Sequence, residues 1–474
     1  MINSGAELAL DHSDAALLGE LLQVWESKRN RNLVRSTYYD GAAPLKDFGI
    51  SLPPKMRSIE AALGWIAKGV HAVTDRSKFE GFVSTDGSDD PFDLSGILWD
   101  NRFLVEFPAA AVSSAVHGCS FLTVSQGDTA AGEPGVLVLP RAADTSAAIW
   151  DRRKRALKGF LSIVDMDSAA QISQMIMHTP EKVVTLTKGQ GSWRADVRRN
   201  PLGVVSVSPL VHKYELGRPL GHSRITRAAM GYADSALRTI VRAEVSSEFY
   251  SAPEYWLFGA DVSSFVGNDK WTAIMGRIKA MDVDVDAGDE KPDLHRFTGA
   301  SPQPHTDQLR MWANLFADDQ DLEVKFADSS NPSSADAIFA AKETLITTTR
   351  DANAMWGYGA TQAMHLAVRL RDGLDSTPDQ LRSLSAQFTD PAIVSPSARA
   401  DAFSKLASSI EGFGSSEVGM EYAGLTREQV VRFQGDRRRL TAGSRLDALA
   451  AAMNQDAQGA TDVAATTNAV RAGQ

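Results

Sequence analysis

The sequence predicts an α+β fold built from several parts. Three observations point there. Short β-type runs separated by turn residues fill the stretch from about Phe79 to Ser208. Helical patterns flank that stretch on both sides. Beyond it, a long helix, Ser223 to Tyr250, leads into a short strand-bearing segment, and a second helix leads out. A chain of 474 residues, 43% of them apolar, is too long for one core and can fill several.

The first element is an amphipathic helix from about Ser13 to Arg31. Leu17, Leu18, Leu21, Leu22 and Trp25 recur at helical spacing, Ser13 stands as a cap, and Lys28, Arg29 and Arg31 close it. A turn-rich stretch runs from Tyr38-Tyr39-Asp40-Gly41 to Pro53-Pro54, and a second helix spans Lys55 to Val73. In the region that follows, FEGFVS, FLVEF, CSFLTVSQ, GVLVLP, EKVVTLTK and GVVSVSP read as strands. Two helical pieces interrupt them, near Pro108 to Val116 and near Asp167 to Met177. The sheet should be largely antiparallel or mixed.

The Ser223–Tyr250 helix would be about 40 Å long at 1.5 Å per residue. Its apolar stripe is Met230, Ala233, Leu237, Ile240, Val241 and Val245, and Pro253 marks its end. Glu254 to Pro304 holds the strand-like runs YWLFG, KWTAI and RIKAM and an acidic run. A helix over Thr306 to Phe316 returns, and a polar loop covers Ala317 to Ser333. A third long helix starts at Ser333 or Ser334, where Ser333 and Asp336 resemble a capping box, and reaches Trp356. Gly357 and Gly359 should break or bend it before it resumes to Arg371. A short extended stretch, Gln387 to Val394, precedes Ala-rich helices at Ser397–Ser409, Ser415–Tyr422, Thr426–Leu440 and Gly443–Asn454. The last twenty residues lack an apolar period. No internal repeat is visible.

The net charge is -10 and the pI about 5.5. A protein that grips DNA is usually basic, so contact with DNA should be sliding or repulsive. Simple solubility explains the same acidity. Cys119 is the single cysteine, which excludes an internal disulfide and a multi-thiolate zinc site. The N-terminal residues lack the pattern of a signal peptide, and no apolar run is long enough to span a membrane.

Catalytic patterns are missing. Lys188-Gly189-Gln190-Gly191-Ser192 lacks the lysine of a phosphate loop and reads as a hairpin turn. No HExxH, GxSxG or CxxC occurs. None of the nine histidines pairs with another at i+4. The run Asp282, Asp284, Asp286, Asp289, Glu290 matches the first three ligand positions of a calcium loop. However, Ala287 occupies the glycine position and Asp293 the final Glu position. Its Asp/Val alternation also reads as a strand with one acidic face. His117 and Cys119 could share a strand face, with a buried structural thiol as the favoured reading. These residues predict neither catalysis nor a cofactor or metal.

An ordered set of short boxes resembles the portal proteins of long-tailed phages of actinobacteria. The set begins with Tyr38-Tyr39-Asp40-Gly41, Pro44-Leu45, Gly49-Ile50 and Pro53-Pro54. Trp65, Val70, Asp75-Arg76 and Glu80-Gly81-Phe82 continue it, followed by Trp99 with Asn101, His117-Gly118 and Ser120-Phe121. Then come Gly217-Arg218, Gly221-His222-Ser223-Arg224-Ile225, Pro253-Glu254 and the box from Asn331 to Ile338. The resemblance spans roughly residues 15 to 440, while the strand-bearing segment after Pro253 and the C-terminal tail depart from it.

The resemblance implies a multi-part portal fold with an α/β wing, long stem helices, a small α/β clip and a helical crown. On this chain the wing would be 1–220 and the first stem helix 221–253. The clip would be 254–304, the second stem helix 305–317 and the tunnel loop 318–333. Residues 334–396 would form the long helix and the return to the wing, 397–454 the crown and 455–474 a mobile tail. Asp318, Asp319, Asp321, Glu323, Lys325 and Asp328 become candidates for the tunnel loop and channel; Asp282, Asp284, Asp286, Asp289 and Glu290 become an acidic clip face.

The implied function is a non-enzymatic ring, usually of twelve subunits, at one capsid vertex, through which double-stranded DNA is packaged and ejected. Implied partners are the terminase large subunit, head-completion and adaptor proteins, scaffold, the major capsid protein and the passing DNA, with no membrane. The setting would be the virion, and the host cytoplasm during assembly. Subunit contacts in such a ring must be heterologous. Two other readings remain at this level: a virion adaptor, which is usually shorter, and an enzyme without familiar motifs.

Overall fold

A computed structural model describes residues 10–45, 62–84, 90–189, 192–251, 254–258, 278–281, 293–297, 301, 303–322, 335–392, 396–426 and 428–445. The chain forms two units, residues 1–391 and 392–474.

In the first unit, helix α1 (His12–Tyr39) is longer than the apolar stripe suggested. Its cap is Asp11 rather than Ser13: the Asp11 carboxylate accepts the Asp14 amide at 2.9 Å. Leu18, Leu21 and Trp25 bury their side chains against a five-stranded sheet, and the Trp25 indole donates to the Asp144 carbonyl at 2.8 Å. That sheet is an antiparallel meander of β4 (Ser146–Asp151), β5 (Ala156–Met166), β6 (Ile172–His178), β7 (Lys182–Lys188) and β8 (Trp193–Arg199).

The second layer is made of helices on a three-stranded sheet. Its helices are α2 (Trp65–Thr74), α3 (Leu94–Asp100) and α4 (Phe103–His117). The sheet has the order β3-β2-β9, with β2 Cys119–Gln126, β3 Val136–Ala142 and β9 Val207–Val211. Strand β1 (Phe79–Val83) pairs with β13 (Ser385–Phe388) far along the chain. Phe79, Phe82, Phe103, Phe107 and Phe388 meet there with ring centroids about 5–6 Å apart.

Several expectations need correction. FLVEF is the start of α4, not a strand. Phe103 and Phe107 are four residues apart and share the buried helix face with Ala110, Ala111 and Ser114. Asp167–Met177 is not a helix. Asp167 Oδ1 accepts the amides of Ala169 and Gln171, closing a turn, and Met175 and Met177 then alternate inward along β6. The second helix starts only at Trp65; 62–64 are not helical, and Lys55 lies outside the described residues.

The long helix near the end of the unit is α7 (Ala335–Asp372), which runs through Gly357 and Gly359 without a break. These glycines permit close packing instead. A Cβ on Gly359 would lie 2.5 Å from the Pro209 carbonyl oxygen, and one on Gly357 would lie 3.1 Å from the Phe388 ring. Ser208 Oγ donates to the Gly359 carbonyl at 2.7 Å. Just before them, Trp356 is fully buried, and its indole donates to Ser114 Oγ at 3.0 Å. The proposed cap residue Ser333 lies outside the described residues.

The remaining elements of this unit are α5 (Arg227–Ser251), β10 (Glu254–Phe258), β11 (Ile278–Met281), β12 (Asp293–Phe297) and α6 (Gln303–Asp319). The three strands form one sheet, β10 pairing in parallel with β11 and antiparallel with β12. KWTAI falls outside the described residues. Of the extended stretch expected at Gln387–Val394, only Gln387 and Phe388 belong to β13.

The second unit contains α8 (Pro396–Ser409), α9 (Glu417–Ala423) and a helical run over 428–445. Gly443 does not start a new helix there; it continues that run.

Candidate functional site

The distinctive feature of the first unit is a helix pair enclosing a small sheet. Thr226 at the start of α5 meets Asp319 at the end of α6, and Tyr232 stacks on Trp312 with centroids 6.4 Å apart, so the two helices are antiparallel. Ala229, Ala233, Ala236, Leu237 and Val241 are the buried side of α5. The short alanine side chains allow close approach. The Tyr38 hydroxyl sits 2.8 and 2.9 Å from the two Asp234 carboxylate oxygens, tying α1 to α5.

Both helices are rooted in the α/β body at one polar node centred on Arg224. This residue is 2% exposed. Its Nε donates to the Gly69 carbonyl in α2 at 2.7 Å, and its Nη2 donates to the Gln320 carbonyl just after α6. Nη1 lies 3.8 Å from Asp321 Oδ2, which also accepts Thr348 Oγ1 of α7 at 3.1 Å. The Gln320 amide group donates to the Arg224 carbonyl and to Asp319 Oδ2. A Cβ on Gly69 would meet Gln320 Oε1 at 2.8 Å, so a larger residue there would push Gln320 aside. Burial lowers the Arg224 pKa, and Asp321 and then Asp319 oppose that shift.

The segment leading into α5 is fixed to the end of α4. The Arg224 amide donates to the Ala115 carbonyl at 2.8 Å, and Ser223 Oγ donates to Val116 at 2.5 Å. Gly221 has φ +70°, and a Cβ there would lie 2.2 Å from the His212 carbonyl oxygen, so only glycine fits. His212 Nδ1 donates to the His222 carbonyl at 2.7 Å. Thus α2, α4, α5, α6 and α7 converge on one hydrogen-bonded root.

The polar groups around Arg224 are spent on one another, and among the described residues of this root none is arranged as a nucleophile beside a base. Cys119 is buried, and burial pushes its thiol up to about 12, so it is no thiolate. The Gly189 amide donates to the Ser192 carbonyl at 2.8 Å across the β7–β8 connection, a hairpin turn. Among the described residues, no three of His, Cys, Asp and Glu converge as metal ligands. No helix is long and apolar enough to cross a membrane among them.

The sequence-predicted site residues are only partly brought together. Asp318 and Asp319 are not loop residues, because α6 extends to Asp319. Asp318 is exposed, whereas Asp319 and Asp321 belong to the Arg224 node. Glu323, Lys325 and Asp328 lie outside the described residues, as do Asp282, Asp284, Asp286, Asp289 and Glu290. Sequence reasoning quoted Ser223 and Arg224 inside a box without a role. It missed Gln320, Thr226 and Thr348, for which no local pattern gave a signal.

The family described as phage portal protein, SPP1 Gp6-like, matches residues 25–434 of this chain. The chain belongs to that family. The portal protein of Mycobacterium phage L5 is 27% identical over 437 residues, covering 88% of each chain. That of Mycobacterium phage D29 is 27% identical over 432 residues, covering 87% of each. Among solved structures, the neck of a native GTA particle, computed with C12 symmetry, aligns at TM-score 0.40 and 13% identity over 82% of this chain and 98% of that one. As a portal protein, the chain is a structural, non-enzymatic part of the phage particle. Portal proteins form rings at a capsid vertex and provide the channel for packaged DNA.

Proposed function

We propose that this portal is a ring of twelve copies whose stem is the α5–α6 pair. The observation that carries the reading is that antiparallel pair, with a small three-stranded sheet at its far end and the Arg224 node at its root. In this reading the body containing the five-stranded sheet and the β3-β2-β9 sheet is the wing, β10–β12 the clip, and the helical second unit the crown. The clip, at the free end of the stem, would dock first the terminase large subunit and later the head-completion and adaptor proteins. Scaffold and the major capsid protein would meet the ring during assembly in the host cytoplasm.

The tunnel segment would follow Asp321, which leaves Glu323, Lys325 and Asp328 as the candidates to face DNA. Asp319 and Asp321 already serve the root. The net charge of -10 per copy suits passage, since a lining that neutralised many phosphates would hold DNA and stall its movement. Electron microscopy of the assembled protein tests this. The expected image is a twelvefold ring with a central hole that admits duplex DNA and paired helices along its wall. A chain that remains monomeric alone and in particles would refute it.

A further inference from the structure

Helix α4 is apolar nearly all round. Its inner face, with Phe103 and Phe107, fills the core. Its outer face carries Leu104, Val105, Pro108 and Ala109, all exposed, and Glu106 is its one acidic residue. Leu104 is 54% and Val105 72% exposed, and Trp99, just upstream, is 85% exposed. A helix hydrophobic on every side is ordinarily buried on every side. Here four of its apolar residues face outward from the protomer.

The patch is also held still. Asn101 Nδ2 donates to the carbonyls of Ile97 and Val136, both at 2.9 Å, and its Oδ1 accepts the Val138 amide at 2.7 Å. These bonds clamp the α3–α4 turn to β3, with Arg102 at φ +50° closing it. Trp99 is therefore presented on a braced turn, and exposed Asp100 and Arg102 lie beside it as a polar rim. A large aromatic anchor, aliphatic neighbours and a charged rim are the composition of a protein interface centre.

We infer that Trp99 and the outer face of α4 form one half of the contact between neighbouring copies in the ring. The inference rests on the ring reading. A closed ring obliges every copy to bury two different faces, one against each neighbour. Obligate interfaces of this kind are apolar, and this braced apolar face belongs to the first unit, which also carries the helix pair. The occupant is a second copy of this chain.

The test uses the single buried cysteine. With Cys119 shielded, a Trp99→Cys variant offers one accessible thiol for maleimide labelling. In the separated chain it should react readily; in the assembled ring, taken from phage particles if the lone chain does not assemble, it should react at least about tenfold more slowly. Equal rates in both states overturn the inference. Protection already in the monomer assigns the face to another segment of the same chain and overturns it. Protection only in complete particles assigns the face to another virion protein and overturns it as well.

A Val105→Glu variant gives a second readout. It should keep the wild-type circular dichroism and melting temperature, since Val105 is exposed, yet lose most of its ring population in sedimentation. Wild-type ring levels in that variant count against the proposal. A wild-type chain that forms no ring either alone or in phage particles would instead sink the ring reading.

Discussion

Replacing Arg224 with Met keeps the bulk of the side chain and removes every donor. The Gln320 carbonyl, beside a fully buried side chain, would then be orphaned, and the Gly69 carbonyl would keep only its helical partner in α2. Each orphaned buried acceptor costs about 1–3 kcal/mol. Asp321 keeps Thr348 but loses its cation. Against this, the guanidinium no longer has to be desolvated, which offsets part of the loss. The net destabilisation should be about 2–4 kcal/mol. Unfolding entropy is about 2.1 cal/mol/K per residue, so the first unit should melt about 2–5 °C lower. Differential scanning calorimetry reads the shift, and hydrogen exchange should speed up at the roots of α5 and α6 before elsewhere. Arg224→Lys should lose roughly half as much, because an ammonium cannot reach both carbonyls. A Met variant with unchanged melting and unchanged exchange at those roots would show that the node does not hold the helix pair.

Acid should weaken the first unit. His178 and His212 are buried, and desolvation, helped by Arg141 and by neighbouring cations respectively, pushes both down to about 4. The folded state therefore refuses a proton that the unfolded chain accepts near pH 6.5, so stability is full above that pH and falls as pH drops toward 4. The loss reaches about 3 kcal/mol per histidine, and urea midpoints equal at pH 7 and pH 5 would contradict it. Gly359→Ala should destabilise by about 1–3 kcal/mol through collision with the Pro209 carbonyl. By contrast, Gly357→Ala should be nearly neutral, since the Phe388 ring can give way and helix propensity improves; equal melting points for the two variants would refute the packing account. Finally, Cys119 should resist a thiol reagent in the native protein and react on unfolding, and rapid native labelling would be inconsistent with its burial.

The long-range consequences of the sequence were unevenly legible. The α5 stripe, the returning α6 and the strands β2, β3 and β7 follow from local pattern: the helix buries one stripe, and the strands are short β-rich runs bounded by turn residues. FLVEF failed as a strand because a short run that is apolar except for Glu106 has no decisive period until the fold decides which residues face inward. The Asp167 segment failed as a helix because an Asx turn, a side-chain bond invisible to hydropathy, resets the chain just before β6.

By itself, the sequence determined that the chain lacks familiar catalytic patterns, that it is acidic and that it carries the ordered portal boxes. It also determined the α+β alternation and the helix–strand–helix layout. Only the tertiary structure decided that Gly357 and Gly359 join α7 to its neighbours rather than break it, because their role depends on the Pro209 carbonyl and the Phe388 ring. It also moved Asp319 and Asp321 from a supposed loop into the root around Arg224. Asp319 and Asp321 lie more than ninety residues from Thr226 and Arg224 in the chain, so no local window could have paired them.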